Sequence, residues 1–253
     1  MRDERKTVIV VGGSSGIGRA TAIRFAREGW RVAVAGSDTE KVSRVMQQLA
    51  GDDHLALRMD IRSDDDVQNG ARALERSFGH LDVMVDSAGV SEANSIVDSD
   101  FKAWNHQFDL MFYGAVRLAR ALVPLMRSGG RIVYVTSIHH ERVVRNYSSY
   151  AVAKSAITQY TRALALELAD RGILANAIAP GFIDTPMSVK GDGRNELASE
   201  WFHDNYVKYD HLPLKRAGSA DEVAGVVYFL AGPDATYMTG SVLTVDGGLT
   251  ITF

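Results

Sequence analysis

The chain has 253 residues, a formal net charge of −3 and 46% hydrophobic residues, which is enough for one large core and a single domain. Its Lys and Arg are dispersed, so it has no electrostatic footprint for nucleic acid, and with no cysteine it has no disulfide, thiol nucleophile or thiolate metal site. No apolar run approaches the roughly 20 residues that cross a bilayer, and MRDERK leads straight into a strand, so the expectation is a soluble, cytoplasmic protein with no membrane partner.

Residues 8–18 read VIVVGGSSGIG. Val8, Ile9, Val10 and Val11 form the apolar run of a parallel strand covered on both faces. Gly12, Gly16 and Gly18 then permit a tight turn whose missing Cβ atoms let a pyrophosphate reach the first amides of a helix, where free N–H groups and the dipole favour negative charge. The spacing is GxxxGxG rather than GxGxxG, so the turn reads either as a dinucleotide site or as a plain strand-to-helix junction.

A helix follows over 19–28, stopped by Gly29, and a strand over 31–35. At its end, Ser37 and Asp38 are candidates for the cofactor ribose; Asp38 also reads as the N-cap of the next helix, 40–49. Strand 55–59 ends at Asp60 and Ile61, where Asp60 either accepts from an adenine amino group or caps helix 67–78. Strand 81–85 runs into Asp86, Ser87, Ala88 and Gly89, small residues that let the backbone pass close to a cofactor. The alternation predicts an α/β fold, a doubly wound parallel sheet with helices on both faces.

A single long helix is expected over 104–125, its aromatic residues in the core, and then a strand over 131–135 that ends at Thr136 and Ser137. Tyr150 and Lys154 lie four residues apart in a helical segment and so share one face. A phenol, with a reference pKa of about 10, becomes a usable acid or base when an ammonium beside it favours the phenolate, and Ser137 can hold the reacting oxygen meanwhile. Strand 174–178 is expected to stop before Pro180 and Gly181. Residues 186–213, with a helix-like run over 197–206, read as a small substrate lid. A last helix over 221–230 and strand over 241–245 lead to Leu249, Ile251 and Phe253, an apolar end expected in a subunit interface.

Taken in order, Gly12, Gly16 and Gly18, Ser87-Ala88-Gly89, Ser137, Tyr150-Ala-Val-Ala-Lys154, Asn176, Pro180-Gly181 and Thr185 resemble the short-chain dehydrogenase/reductase family over residues 6–248. The resemblance implies a Rossmann-type subunit, a homotetramer or homodimer, that uses NAD or NADP, NAD being taken first. Tyr150 would be the general acid/base, Ser137 would orient the reacting oxygen, and Lys154 would hold the nicotinamide ribose and lower the tyrosine pKa. The cofactor-binding set would be Gly12, Ser14, Ser15, Gly16, Ile17, Gly18, Ser37, Asp38, Asp60, Ile61, Ser87, Ala88, Gly89, Tyr150, Lys154, Pro180, Gly181, Ile183 and Thr185.

The chain departs from the family pattern at three places. Val11 stands where a Thr is usual, Asp86 and Ser87 replace an Asn pair, and Met111 stands where the family has an Asn whose backbone binds a water linked to the lysine. A thioether cannot match the amide's hydrogen bonding, which leaves a cofactor-binding but weakly active protein as an alternative.

His139 and Glu141 follow Ser137 in an arrangement similar to bacterial glucose and sugar dehydrogenases of the family, and Asn146 lies in the same loop. With Trp201 and His203 of the lid, they point first to a sugar or polyol as the small-molecule substrate. A 3-oxoacyl or other apolar ketone is the alternative, since family likeness does not fix substrate. Adjacent histidines in one loop lack a third ligand, so no metal is expected.

Overall fold

All five residues of β1 (Thr7–Val11) are buried, and their alternation sorts them between two layers. Ile9 and Val11 face one core; Val8 and Val10 face the other. Burying each such side chain contributes about 1.5–3 kcal/mol, far more than local strand preference, so coverage of both faces fixes this stretch as a central strand. The structure, a computed structural model, describes residues 5–189 and 191–252; Lys190 of the lid stretch and Phe253 of the apolar end lie outside the described residues.

β1 leads through the glycine turn to α1 (Gly16–Arg27), then β2 (Arg31–Gly36), α2 (Thr39–Met46), β3 (Leu55–Arg58), α3 (Asp64–Phe78) and β4 (Leu81–Asp86). Next come α4 (Phe101–Phe108), α5 (Gly114–Leu122), β5 (Met126–Val135), α6 (Ser148–Glu167), β6 (Leu174–Pro180), β7 (Ile183–Asp184), the short α7 (Glu200–Phe202), β8 (Gly218–Ser219), α8 (Ala220–Ala231) and β9 (Val242–Val245). Seven parallel strands form the main sheet in the order β3-β2-β1-β4-β5-β6-β9, and β7 pairs with β8 beside it. The order reverses between β1 and β4, and at such a switch point the strand ends splay to leave a crevice.

Residues of α1, α2 and α8 cover one face, with Phe25, Val42 and Val227 packed against Val8 and Val10. The other carries α3, α5 and α6, with Leu74, Leu118 and Ile157 over Ile9, Met84 and Ile132. The starts of α3 and α8 are capped: the Ser63 hydroxyl accepts from the Asp66 N–H, and Ser219 and Glu222 form a reciprocal capping box on α8. Among the described residues no helix is long and apolar enough to cross a membrane.

Three predicted elements differ. The helix expected over 104–125 is four pieces: α4, one π-helical turn at Asp109–Tyr113, α5, and a 3-10 turn at Val123–Leu125 that contains Pro124. Proline cannot donate to the helical ladder, which accounts for the end of α5; an inserted residue in a π turn leaves the apolar pattern nearly unchanged and so goes unseen. β5 begins at Met126, paired with Leu81, before a shift in register that places Arg131 opposite Val83. β6 runs on to include Pro180, tolerated at the end of the strand where it pairs with Val245.

Candidate active site

The turn after β1 is shaped by what its glycines lack. A Cβ on Gly12, whose φ is +71°, would sit 2.6 Å from the Ala88 nitrogen, and one on Gly18 would sit 2.3 Å from the Gly12 carbonyl oxygen. Any side chain at these two positions would force the turn away from the end of β4. α1 then starts with Ser15 as its N-cap, yet the hydroxyl makes no capping bond and the first turn carries no acidic residue. The helix therefore presents unsatisfied amides and its positive end to the crevice, an arrangement that favours an anion.

Tyr150 is held by both ends of its neighbourhood. The Trp104 indole on α4 donates to the Ser148 hydroxyl at 2.9 Å, and the Ser149 hydroxyl donates to the Trp104 carbonyl, which fixes the first turn of α6. Ser155, also on α6, donates to the His140 carbonyl at 2.7 Å, tying the helix to the 3-10 turn Ile138–His140 that follows Ser137. Ser137 is in turn placed by β5, where the Thr136 N–H donates to the Ile178 carbonyl at 2.8 Å. The result is a buried Tyr150 beside a buried Ser137, whose hydroxyl accepts from the His139 N–H at 3.2 Å.

Lys154 stands on the same face of α6, its Nζ donating to the Val135 carbonyl at 2.9 Å and lying 5.6 Å from the centroid of the Tyr150 ring. Burial pushes the Tyr150 phenol above its ordinary value, and the Ser137 hydrogen bond pulls it back only in part. Burial draws the Lys154 ammonium down, opposed by the negative charge of Asp86. The sequence suggested that lysine brings the phenol toward neutrality; in the protein alone, desolvation raises the phenol and the opposing pull is that of Ser137.

One cavity of about 910 Å³ joins these parts. Its lining includes Gly12, Ser14, Ser15, Gly16, Ile17, Ser37, Asp60, Ile61, Ser87, Ala88 and Gly89 at the switch point, then Ser137, Tyr150, Lys154, Pro180, Gly181, Ile183 and Thr185. Its size and the bare α1 amides suit an extended dinucleotide, and Gly181 has no room for a side chain, since a Cβ there would meet Asp246 at 2.7 Å.

Several expected residues are elsewhere. Asp38 is outside the lining; its carboxylate accepts from the Lys41 N–H at 3.0 Å, so it caps α2. Gly18 is also outside, acting through the close approach to Gly12 rather than by contact. Asp60 lines the cavity, but Arg62 grips its carboxylate with backbone and guanidinium, and α3 is capped by Ser63 instead. Glu141, Asn146 and His203 do not line the cavity: Glu141 and His203 extend into solvent, and Asn146, at φ +68°, serves a loop turn in which its carbonyl accepts from the Asn94 N–H at 2.6 Å. His139 and Trp201 do line it.

The sequence reading missed much of the wall near Tyr150: Val143, Val144, Tyr147, Met187, Leu197 and Leu249. Leu249, expected in a subunit interface, also borders the cavity of its own chain, where Asp246 accepts from the Gly248 and Thr250 N–H groups and turns the chain back. The apolar loop residues between Ser137 and Tyr150 were the available signal.

Comparison with known proteins fits this geometry. The family model described as enoyl-(acyl carrier protein) reductase matches residues 11–250. The chain belongs to the short-chain dehydrogenase/reductase family. Among relatives of this short-chain dehydrogenase/reductase, a glucose 1-dehydrogenase of Gluconobacter oxydans is 35% identical, over 97% of this chain and 92% of its own. A 3-oxoacyl-[acyl-carrier-protein] reductase of Thermotoga maritima is 31% identical over 99% of this chain and all of its own length (100%). Among solved structures, an aldohexose dehydrogenase of Thermoplasma acidophilum superposes with a TM-score of 0.85 at 29% identity, covering 98% of this chain and 95% of that one. An actinorhodin polyketide ketoreductase with NADPH gives a TM-score of 0.88 at 28% identity, over 98% and 99% of the two chains.

Proposed function

We propose that this oxidoreductase interconverts a secondary alcohol and a ketone with a nicotinamide cofactor. The observation that carries this reading is the convergence of Ser137, Tyr150 and Lys154 on the same cavity as the bare N-terminus of α1. When bound, the nicotinamide supplies or accepts the hydride. The amides from Gly12 to Ile17 would hold the pyrophosphate, Ser37 and Asp60 would serve the adenosine, Ile183 and Thr185 would serve the carboxamide, and Lys154 would hold the ribose hydroxyls. In reduction Tyr150 donates its phenolic proton to the carbonyl oxygen while Ser137 hydrogen-bonds that oxygen; oxidation reverses the transfer.

NAD is the cofactor proposed first. Among the described residues, the lining cations are Arg142 and Lys154, both toward the Tyr150 end, so nothing positive faces a 2′-phosphate beside Gly36 and Ser37. The substrate reading favoured here is a ketone with an apolar body, because Val143, Val144, Met187, Leu197, Trp201 and Leu249 line the same cavity as Tyr150. A sugar or polyol is the second reading, supported by the glucose 1-dehydrogenase likeness and by His139 in the lining. Reduced-nicotinamide absorbance with NAD and NADP, each against aryl ketones, 3-oxoacyl thioesters, aldoses and polyols, tests all of these. Turnover of aldoses alone would reverse the substrate order, and no turnover with any of them would leave a cofactor-binding protein.

A further inference from the structure

Asp86 is a buried carboxylate that the reaction above does not use. It is the last residue of β4, paired with Val11 on one side and Tyr134 on the other, and is 5% exposed. Side chains alternate along a strand, so Asp86 points into the layer that Met84 occupies two residues earlier, the layer of α5, α6 and Met111. Lys154 enters that layer from α6. The chain just beyond Asp86 passes close under the lysine: a Cβ on Gly89 would lie 3.6 Å from Lys154 Nζ and 3.3 Å from the Met111 sulfur.

An ammonium has three donors, and one of these reaches the Val135 carbonyl. From the π turn Met111 offers only a thioether, a weak acceptor. On the strand side, one oxygen of Asp86 accepts from the Ala88 N–H at 3.0 Å, and the carboxylate, beyond direct ion-pair distance of the ammonium, acts on the lysine through its charge. A carboxylate enclosed in this way is tolerated when an opposite charge stands by it.

We propose that Asp86 is a positioning residue whose carboxylate is the counter-charge of Lys154, keeping the ammonium charged beside Tyr150 from the β4 side. Burial drives the Asp86 carboxyl up and the Lys154 ammonium down, and each charge pulls the other back. The other groups facing this pair are Tyr150 on α6 and Tyr134 on β5. Asp109, in the π turn, is engaged by Arg117 at 3.3 Å. The kinetic consequence rests on the proposed oxidoreductase reading: reduction needs Tyr150 protonated and Lys154 charged. Without the Asp86 charge Lys154 gives up its proton at lower pH, and the alkaline loss of activity moves down.

The test is Asp86→Asn, which keeps the shape and the acceptor for the Ala88 N–H. Lysine labelled with ¹³C at Cε is titrated by NMR, the Lys154 signal being assigned by its loss in Lys154→Met. The expected result is a Lys154 midpoint lower by about one pH unit, a tenfold change in its proton equilibrium, with the alkaline limb of ketone reduction displaced in step. An unmoved Lys154 midpoint overturns the proposal whether or not the enzyme turns over. A displaced midpoint without turnover of any substrate supports it and removes the oxidoreductase reading instead. Should Asp86→Asn not fold, ¹³Cγ-aspartate spectra of the unmodified protein decide: an Asp86 signal that responds to Lys154 ionisation supports the pairing, and one that does not overturns it.

Discussion

Tyr150 and Lys154 are one turn apart on α6, both buried, with the ammonium 5.6 Å from the centroid of the phenol ring. If that pair moves the proton, Tyr150→Phe removes the proton donor while leaving the ring in place. Turnover should fall by about 10²–10⁴-fold, the usual worth of a positioned acid or base, with cofactor affinity kept within a few fold of the parent protein. Steady-state rates and a fluorescence titration with reduced cofactor measure both. Because burial holds the phenol above its ordinary value, oxidation, which needs phenolate, should quicken as pH rises through the alkaline range, whereas reduction should not.

The glycine turn gives a second expectation. Gly18→Ala places a methyl group where a Cβ meets the Gly12 carbonyl at 2.3 Å, so the turn must open. Cofactor affinity should weaken by at least about tenfold, or about 1.4 kcal/mol, although residue 18 touches no part of the cavity. Equilibrium dialysis with NAD measures it, and unchanged affinity would show that the turn does not set the pyrophosphate site.

Asp38 separates two roles that the sequence left open. Its carboxylate accepts from the Lys41 N–H, so Asp38→Ala should lower stability through loss of the α2 cap, read as a lower denaturant midpoint. NAD affinity should stay within about twofold. A large loss of NAD binding with little loss of stability would return Asp38 to the ribose.

Met111 is 1% exposed and fills the space beside Gly89 inside the π turn. Met111→Asn puts an amide into this apolar position. Unless the amide finds partners, the cost is about 1–3 kcal/mol, read as a lower denaturant midpoint with an unchanged slope. With Asp86 beside the lysine on the strand side, turnover should rise by less than about threefold, a change of under about 1 kcal/mol in the barrier. A much larger gain would mean that position 111 does limit proton supply.

The parallel sheet was legible because burial on both faces writes itself into VIVV, and the α2 cap because Asp38 is a type that competes for helix N-terminal amides. Ser137, Tyr150 and Lys154 were legible as a set only through their order in the chain, since no spacing rule brings Ser137 to a helix thirteen residues later. The π turn was hidden because one extra residue leaves a run of aromatics apolar on every side. Leu249 was not legible as cavity wall because its position depends on Asp246 turning the chain back, a hydrogen-bonding choice that hydropathy does not register. Glu141 and Asn146 stand off the cavity lining for a different reason: a loop residue's direction is set by its turn, whatever its chemistry suits.

The wall facing Tyr150 is held by a chain of contacts that ends at the folded-back terminus. Arg142 donates to the Thr250 carbonyl at 2.5 Å, and its own carbonyl meets His139 Nδ1 at 3.3 Å. A carbonyl only accepts, so Nδ1 carries the proton and Nε2 is left as an acceptor. The imidazole then stands edge-on to Tyr150, with 5.7 Å between the centroids, and burial lowers its pKa, so it is neutral at pH 7. Arg142→Ala cuts the tie to residue 250 without touching the cofactor end. The KM for the ketone should therefore rise by about 3–10-fold, a loss of roughly 0.7–1.4 kcal/mol, while kcat and NAD affinity change little. Equal losses in kcat and in cofactor binding would instead mean that Arg142 supports the whole rim, and that the terminus is not a wall of the substrate site.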